Sequence, residues 1–80
     1  MSSPVPLSHL APGSKGIVAA IEGGGGFTAN LRARGIREGK NIEVVTAHPL
    51  RGPLVVRIDG RETTIGRGMA HKIMVQARNV

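Results

Sequence analysis

The chain contains no cysteine, tryptophan or tyrosine, and Phe27 is its sole aromatic residue. Without thiols it can form neither a disulfide nor a thiolate metal site. Single-stranded nucleic-acid binding draws on several stacked rings, each worth roughly 1–3 kcal/mol, and proline-rich peptides are read by aromatic-lined grooves. One phenylalanine supports neither. Long apolar runs are missing too: Gly16 to Ile21 falls far short of the roughly 20 residues that span a bilayer. Met1 to Pro6 lacks the basic head and apolar middle of a signal peptide, so the sequence predicts a cytoplasmic protein. Acids are scarce, five against eleven Lys and Arg, for a net charge of +6. They are scattered, with no carboxylate pair for acid–base chemistry. Ser2, Ser3, Ser8 and Ser14 have no sequence-linked base to activate them. A chain of 80 residues buries only about 60% of its unfolded surface and leaves little room for a catalytic pocket beside its core. The sequence therefore predicts a binding module and not an enzyme.

What the chain has in quantity is glycine, placed between short apolar segments. Residues 1–6, rich in Ser and Pro, are expected to form a flexible tail, and residues 7–80 a single domain. Leu7 to Leu10 reads as a helical turn or extended lead-in, stopped by Pro12-Gly13. Lys15 to Glu22 alternates Ile17, Ala19 and Ile21 against Val18, Ala20 and Glu22, the pattern of a strand with one buried face. Gly23 to Gly26 ends it. Phe27 to Arg34 reads as a helix of about two turns with Phe27, Leu31 and Ala33 inward. Gly35 stops that helix, because glycine most cheaply takes the left-handed conformation past a helix end. Ile36 folds back onto the helix, and Gly39 closes a second tight turn.

Asn41 to Ala47 is the next strand, with Ile42 and Val44 on one face. His48 to Pro53 is a loop fixed by two prolines and Gly52. Leu54, Val56 and Ile58 then alternate with Val55, Arg57 and Asp59, the cleanest period of two in the chain. Asp59-Gly60 is a two-residue hairpin turn into Arg61–Ile65. Gly66 to His71 reads as one helical turn carrying Ala70 inward, and Ile73 to Gln76 as the closing strand. The class is all-β: a small five-stranded barrel with one or two short helical turns, closed so as to leave few free edges.

Four elements in this order carry a family resemblance: Leu7-Ser8-His9-Leu10-Ala11-Pro12-Gly13 with Gly16; Leu31 with Gly35-Ile36 and Gly39; Pro49-Leu50-Arg51-Gly52-Pro53-Leu54; and Ala70-His71-Lys72-Ile73-Met74-Val75. Together they cover Leu7 to Val75, and the chain resembles the FeoA family. That resemblance implies an SH3-like barrel and an accessory role in ferrous-iron uptake. The implied partner is the membrane transporter FeoB, bound and regulated at its cytoplasmic GTPase region.

The glycine run is not a nucleotide-binding loop, since Phe27-Thr28-Ala29 supplies no lysine followed by Ser or Thr. It reads as a flexible connection that lets the helix dock. His9, His48 and His71 stand apart in sequence with no carboxylate cluster beside them, so surface histidines and no metal site are expected, and no cofactor. Arg32, Arg34, Arg37 and Lys40 form the densest basic cluster. Cations near a helix C-terminus are stabilising by about 0.3–1 kcal/mol, which is one reading of it. The other is a docking face for an acidic protein patch or for the anionic inner surface of the membrane, with Leu50, Leu54 and Met69 as its apolar centre. The partner-facing candidates are thus Arg34, Arg37, Leu50 and Met69. Gly35, Gly39, Gly52, Pro53 and Gly60 are expected to shape the turns. Two rivals remain: a stand-alone relative of the SH3-like domain of iron-dependent repressors, and a basic RNA or ribosome accessory protein. Specific nucleic-acid binding is not expected.

Overall fold

A computed structural model describes residues 3–47 and 52–78 of the chain. Asn41–Ala47 (β3), Leu54–Ile58 (β4) and Arg61–Ile65 (β5) form a meander, preceded by Lys15–Ile21 (β2) and followed by Ile73–Arg78 (β6). A further strand, Val5–Pro6 (β1), pairs Val5 with Val75 and Pro6 with Met74. The antiparallel sheet runs β1-β6-β2-β3-β4-β5. It therefore has six strands where the sequence predicts five, and Val5 and Pro6 belong to the sheet and not to the expected tail. Pro6 has no N–H to give a ladder, which is tolerated only at a sheet edge, and β1 is an edge strand.

Irregularities let the sheet curl. Register shifts fall between Val18 and Ala20 in β2 and between Val44 and Thr46 in β3, and such bulges bend a strand and increase its twist. The first also changes which side chains point inward. Gly16 and Val18 are buried, whereas Ala19 is exposed and Ile17 and Ile21 are only half-buried. Of the two alternating sets in this strand, Gly16 and Val18 face the core before the bulge, and Ile21 packs on the core after it.

The core joins every layer. Leu54, Val56 and Ile58 of β4 meet Ile42 and Val44 of β3, Val18 of β2, and Ile73 and Val75 of β6. Leu7, from the 3₁₀ turn Leu7–His9, closes one end, and Leu31 and Ile36 close another. No polar or charged residue among those described is buried.

The first helix, Gly25–Ala33 (α1), begins two residues earlier than the sequence suggests. Gly24 is its N-cap, with no side chain to bond the free N–H groups, and Gly25 and Gly26 form its first turn. Half of the expected flexible glycine connection, Gly25 and Gly26, is therefore helix. Leu31 is fully buried and Phe27 packs on the core, but Ala33 is exposed and not inward. A single turn, Arg67–Ala70 (α2), buries Ala70 and packs on the 3₁₀ turn.

Candidate functional site

The end of α1 builds the surface of interest. Gly35, at φ +88°, sends its N–H to the carbonyl of Arg32 at 3.0 Å, and Ile36 sends its N–H to Leu31 at 3.0 Å. This paired closure of orphan carbonyls is the Schellman motif, accompanied by its apolar contact, since Leu31 and Ile36 are both fully buried. The chain then turns again at Arg37-Glu38-Gly39-Lys40, where Lys40 N–H meets Arg37 O at 3.2 Å and Gly39 has φ +89°. A positive φ at the third position defines a type II turn. Gly39 N–H donates to Val18 O at 2.8 Å, and Val18 N–H to Lys40 O at 2.9 Å. Two successive glycine turns are thus anchored to the core at Leu31 and to β2 at Val18. Arg34 and Arg37 leave the surface from a fixed backbone.

Across from them lies the β4–β5 hairpin. Asp59 and Gly60 have φ of 53° and 78°, as a type I′ turn requires, and Ile58 pairs with Arg61. Arg34 reaches over to β5, donating from Nη1 to Thr64 O at 3.4 Å. Between helix end and hairpin is an open groove of about 420 Å³ lined by Arg32, Ala33, Arg34, Gly35, Arg37, Ile58, Asp59 and Arg61. Four guanidinium groups and one carboxylate surround it.

Ion pairing leaves this groove positive. Asp59 is held by Lys40 at 3.1 Å and Arg32 by Glu38 at 3.6 Å. Arg57 bridges Glu62 at 2.7 Å and Glu43 at 3.3 Å across three strands. Its hydrogen bond to Glu62, followed by the charge of Glu43, pushes its already high pKa further up. Four of the five acids are so engaged. Arg37 and Arg61 are exposed and have no side-chain hydrogen bond or ion pair among the described residues.

The sequence cluster is therefore only part of the site. The fold brings Arg34 and Arg37 together and adds Arg61, which sequence reasoning missed because a hairpin, not sequence proximity, delivers it. Met69 does not line the groove; it sits half-buried on α2, packed against the core. Leu50 lies outside the described residues, as do His48 and most of the proline-held loop, while Gly52 and Pro53 lead irregularly into β4.

Folding also joins two histidines that the sequence separates. The His9 and His71 rings lie 5.8 Å apart at 56°, and His71 Nδ1 is 3.4 Å from Ser8 Oγ. They border a shallow depression with Arg67 and Gly68. Among the described residues no group of three or more His, Cys, Asp or Glu converges, and the Arg67 guanidinium disfavours a cation there.

Comparison with known proteins places the whole arrangement. The FeoA domain model matches residues 5–77. The chain belongs to the FeoA family. Among curated proteins it is 35% identical over 71 residues to a Methanocaldococcus jannaschii protein provisionally named Fe(2+) transport protein A, covering 89% of this chain and 84% of that one. It is 36% identical over 70 residues to a Porphyromonas gingivalis Fe(2+) transport protein A/Fe(2+) transporter FeoB fusion protein, of which it spans 8%. The crystal structure of an iron uptake regulatory protein (FeoA) is 35% identical and superposes with a TM-score of 0.87, over 96% of this chain and all of that one. A manganese-dependent transcriptional repressor shares the SH3-like fold over 98% of this chain and 43% of its own, with a TM-score of 0.89 at 22% identity. That likeness is one of fold alone. No helix of the FeoA chain, among the described residues, is long and apolar enough to cross a membrane.

Proposed function

We propose that this FeoA-family protein is a non-catalytic adaptor of ferrous-iron uptake that binds the cytoplasmic GTPase region of a FeoB-type transporter and regulates it. The observation that carries this reading is the P. gingivalis fusion, in which a region 36% identical to this chain and a FeoB transporter share one polypeptide. Fusion holds two modules at a high effective concentration, an arrangement that suits partners meant to meet. The arrangement of the chain agrees with binding and not with chemistry: every fully buried side chain among the described residues is apolar, and the charged groups lie in an open groove. Arg34 and Arg37 are the proposed rim of the partner face, with Leu50 as its apolar centre. Met69, half-buried on α2 and outside the groove lining, is a further proposed contact.

The test is interferometry on the immobilised cytoplasmic domain of a FeoB-type transporter, loaded in turn with GTP and GDP, alongside its GTP hydrolysis rate. The expected result is saturable binding that differs between the two states. Absence of binding in both, with an unchanged hydrolysis rate, would overturn the reading. A steeply salt-dependent affinity for RNA without any for that domain would favour the nucleic-acid alternative.

A further inference from the structure

We infer that the groove between the end of α1 and the β4–β5 hairpin is a socket for an acidic polypeptide segment, one presenting several Asp or Glu side chains in succession. The inference deepens the adaptor reading and rests on it only for the identity of the partner.

Three features of the groove select this occupant. Its cations are all arginines, drawn from three separate places in the chain: α1, the double turn after it, and the start of β5. Arginine presents a planar fork that matches a carboxylate with two parallel hydrogen bonds. Two of them, Arg37 and Arg61, are exposed and unengaged among the described residues, while Lys40 already neutralises the one carboxylate in the wall. The second feature is size. About 420 Å³ is the scale of a cleft that takes several groups at once, and too large for one inorganic anion. The third is the lining between the charges, where Ile58 and Ala33 are apolar. A glutamate side chain has an aliphatic stem to lay on such a surface and a carboxylate to reach the rim. A bare phosphate has no stem. A membrane surface is flat and meets projecting cations, whereas these guanidinium groups surround a hollow.

The backbone prepares the site in advance. Both glycine turns are hydrogen-bonded into α1 or β2, so the backbone that carries Arg34 and Arg37 is set before any partner arrives. Preorganisation of this kind lowers the ordering cost of association.

The experiment compares two double variants of equal net charge: Arg37→Gln/Arg61→Gln in the groove, and Lys15→Gln/Arg78→Gln outside its lining, at the start of β2 and the end of β6. Fluorescence anisotropy with a short labelled peptide of alternating Glu and Asp is the readout. A Gln/Asn peptide of the same length and phosphatidylglycerol–phosphatidylcholine vesicles serve as competing probes. At about 0.15 M salt, where the screening length is about 8 Å, the acidic peptide is expected to bind the parent saturably, the groove variant about tenfold more weakly, and the control variant within about twofold, because the cations it loses do not line the groove. Equal losses in both variants would reduce the effect to net charge and overturn the socket. So would groove-dependent binding to vesicles without binding to the peptide. The same variants are then tested on the FeoB-type cytoplasmic domain. Loss of domain binding in the groove variant alone supports the socket as the partner site. Undiminished domain binding overturns it there and leaves the adaptor reading standing. A parent that binds the acidic peptide but not the domain overturns the adaptor reading and leaves the socket.

Discussion

Replacing Gly16 with alanine would put a methyl group into the seam between β2 and β6. The new Cβ would lie 2.5 Å from Val75 Cγ1 and 2.6 Å from the backbone oxygen of Gln76. Ordinary van der Waals contact begins near 3.4 Å, so the seam must open by about 0.8–0.9 Å in an interior packed as densely as a molecular crystal. Neither side can yield easily. Val75 is fully buried and paired with Val18, and Gly16 is paired with Ala77. Overpacking of this kind costs about 1–3 kcal/mol, from a total of about 4–12 kcal/mol for a chain of this length. With about 4–8 °C per kcal/mol in a small domain, the midpoint should fall by about 4–24 °C. The assay is thermal unfolding by far-ultraviolet circular dichroism, because the chain has no tryptophan or tyrosine for fluorescence. A Gly16→Ala protein that melts with the parent would refute the close approach of the two strands at this point.

Three other outcomes are expected. Gly26→Ala, in the first turn of α1 with nothing within 4 Å of the added carbon, should raise stability by about 0.5–1 kcal/mol, and a lowered midpoint in the same melt would contradict that placement. Gly35→Val should destabilise by at least about 1 kcal/mol, because a β-branched residue is strained at positive φ; a parent-like melt would show that α1 does not end in a left-handed residue. Anaerobic titration with Fe²⁺ should reveal no stoichiometric sub-micromolar site, since His9 and His71 lack a third convergent ligand among the described residues; a tight site abolished by His71→Ala would contradict this.

The strands and turns that a reader can extract from the residues are those set by local chemistry. Leu54, Val56 and Ile58 alternate with polar or half-exposed neighbours, and Asp59-Gly60 is nearly confined to one turn type, so the hairpin is legible. Asn41–Ala47 is legible for the same reason. In β2 the residues 17–21 are all apolar, so alternation carries no information about which face is inside, and the bulge after Val18 is defined only by the pairing with β6. Val5–Pro6 is invisible as a strand because Pro6 carries no ladder donor and its pairing is supplied entirely by Val75 and Met74. The same division governs the site. Arg34 and Arg37 stand out because they flank a helix stop. Arg61 reads as an ordinary strand residue until the hairpin folds it opposite them, and the nearness of His9 to His71 depends on α2 packing against the 3₁₀ turn. Met69, an apolar residue on a short turn, is drawn onto the core instead.

An adaptor that meets its transporter through an arginine-lined groove has a calorimetric signature against the FeoB-type cytoplasmic domain, read over a series of salt concentrations. The proteins are the parent and Arg34→Glu/Arg37→Glu/Arg61→Glu, with circular dichroism confirming that both are folded. The parent should bind saturably and more weakly as salt rises, and the folded charge-reversed variant should lose that binding, because like charge now faces the acidic segment. Binding of equal strength by parent and variant at low salt would contradict it.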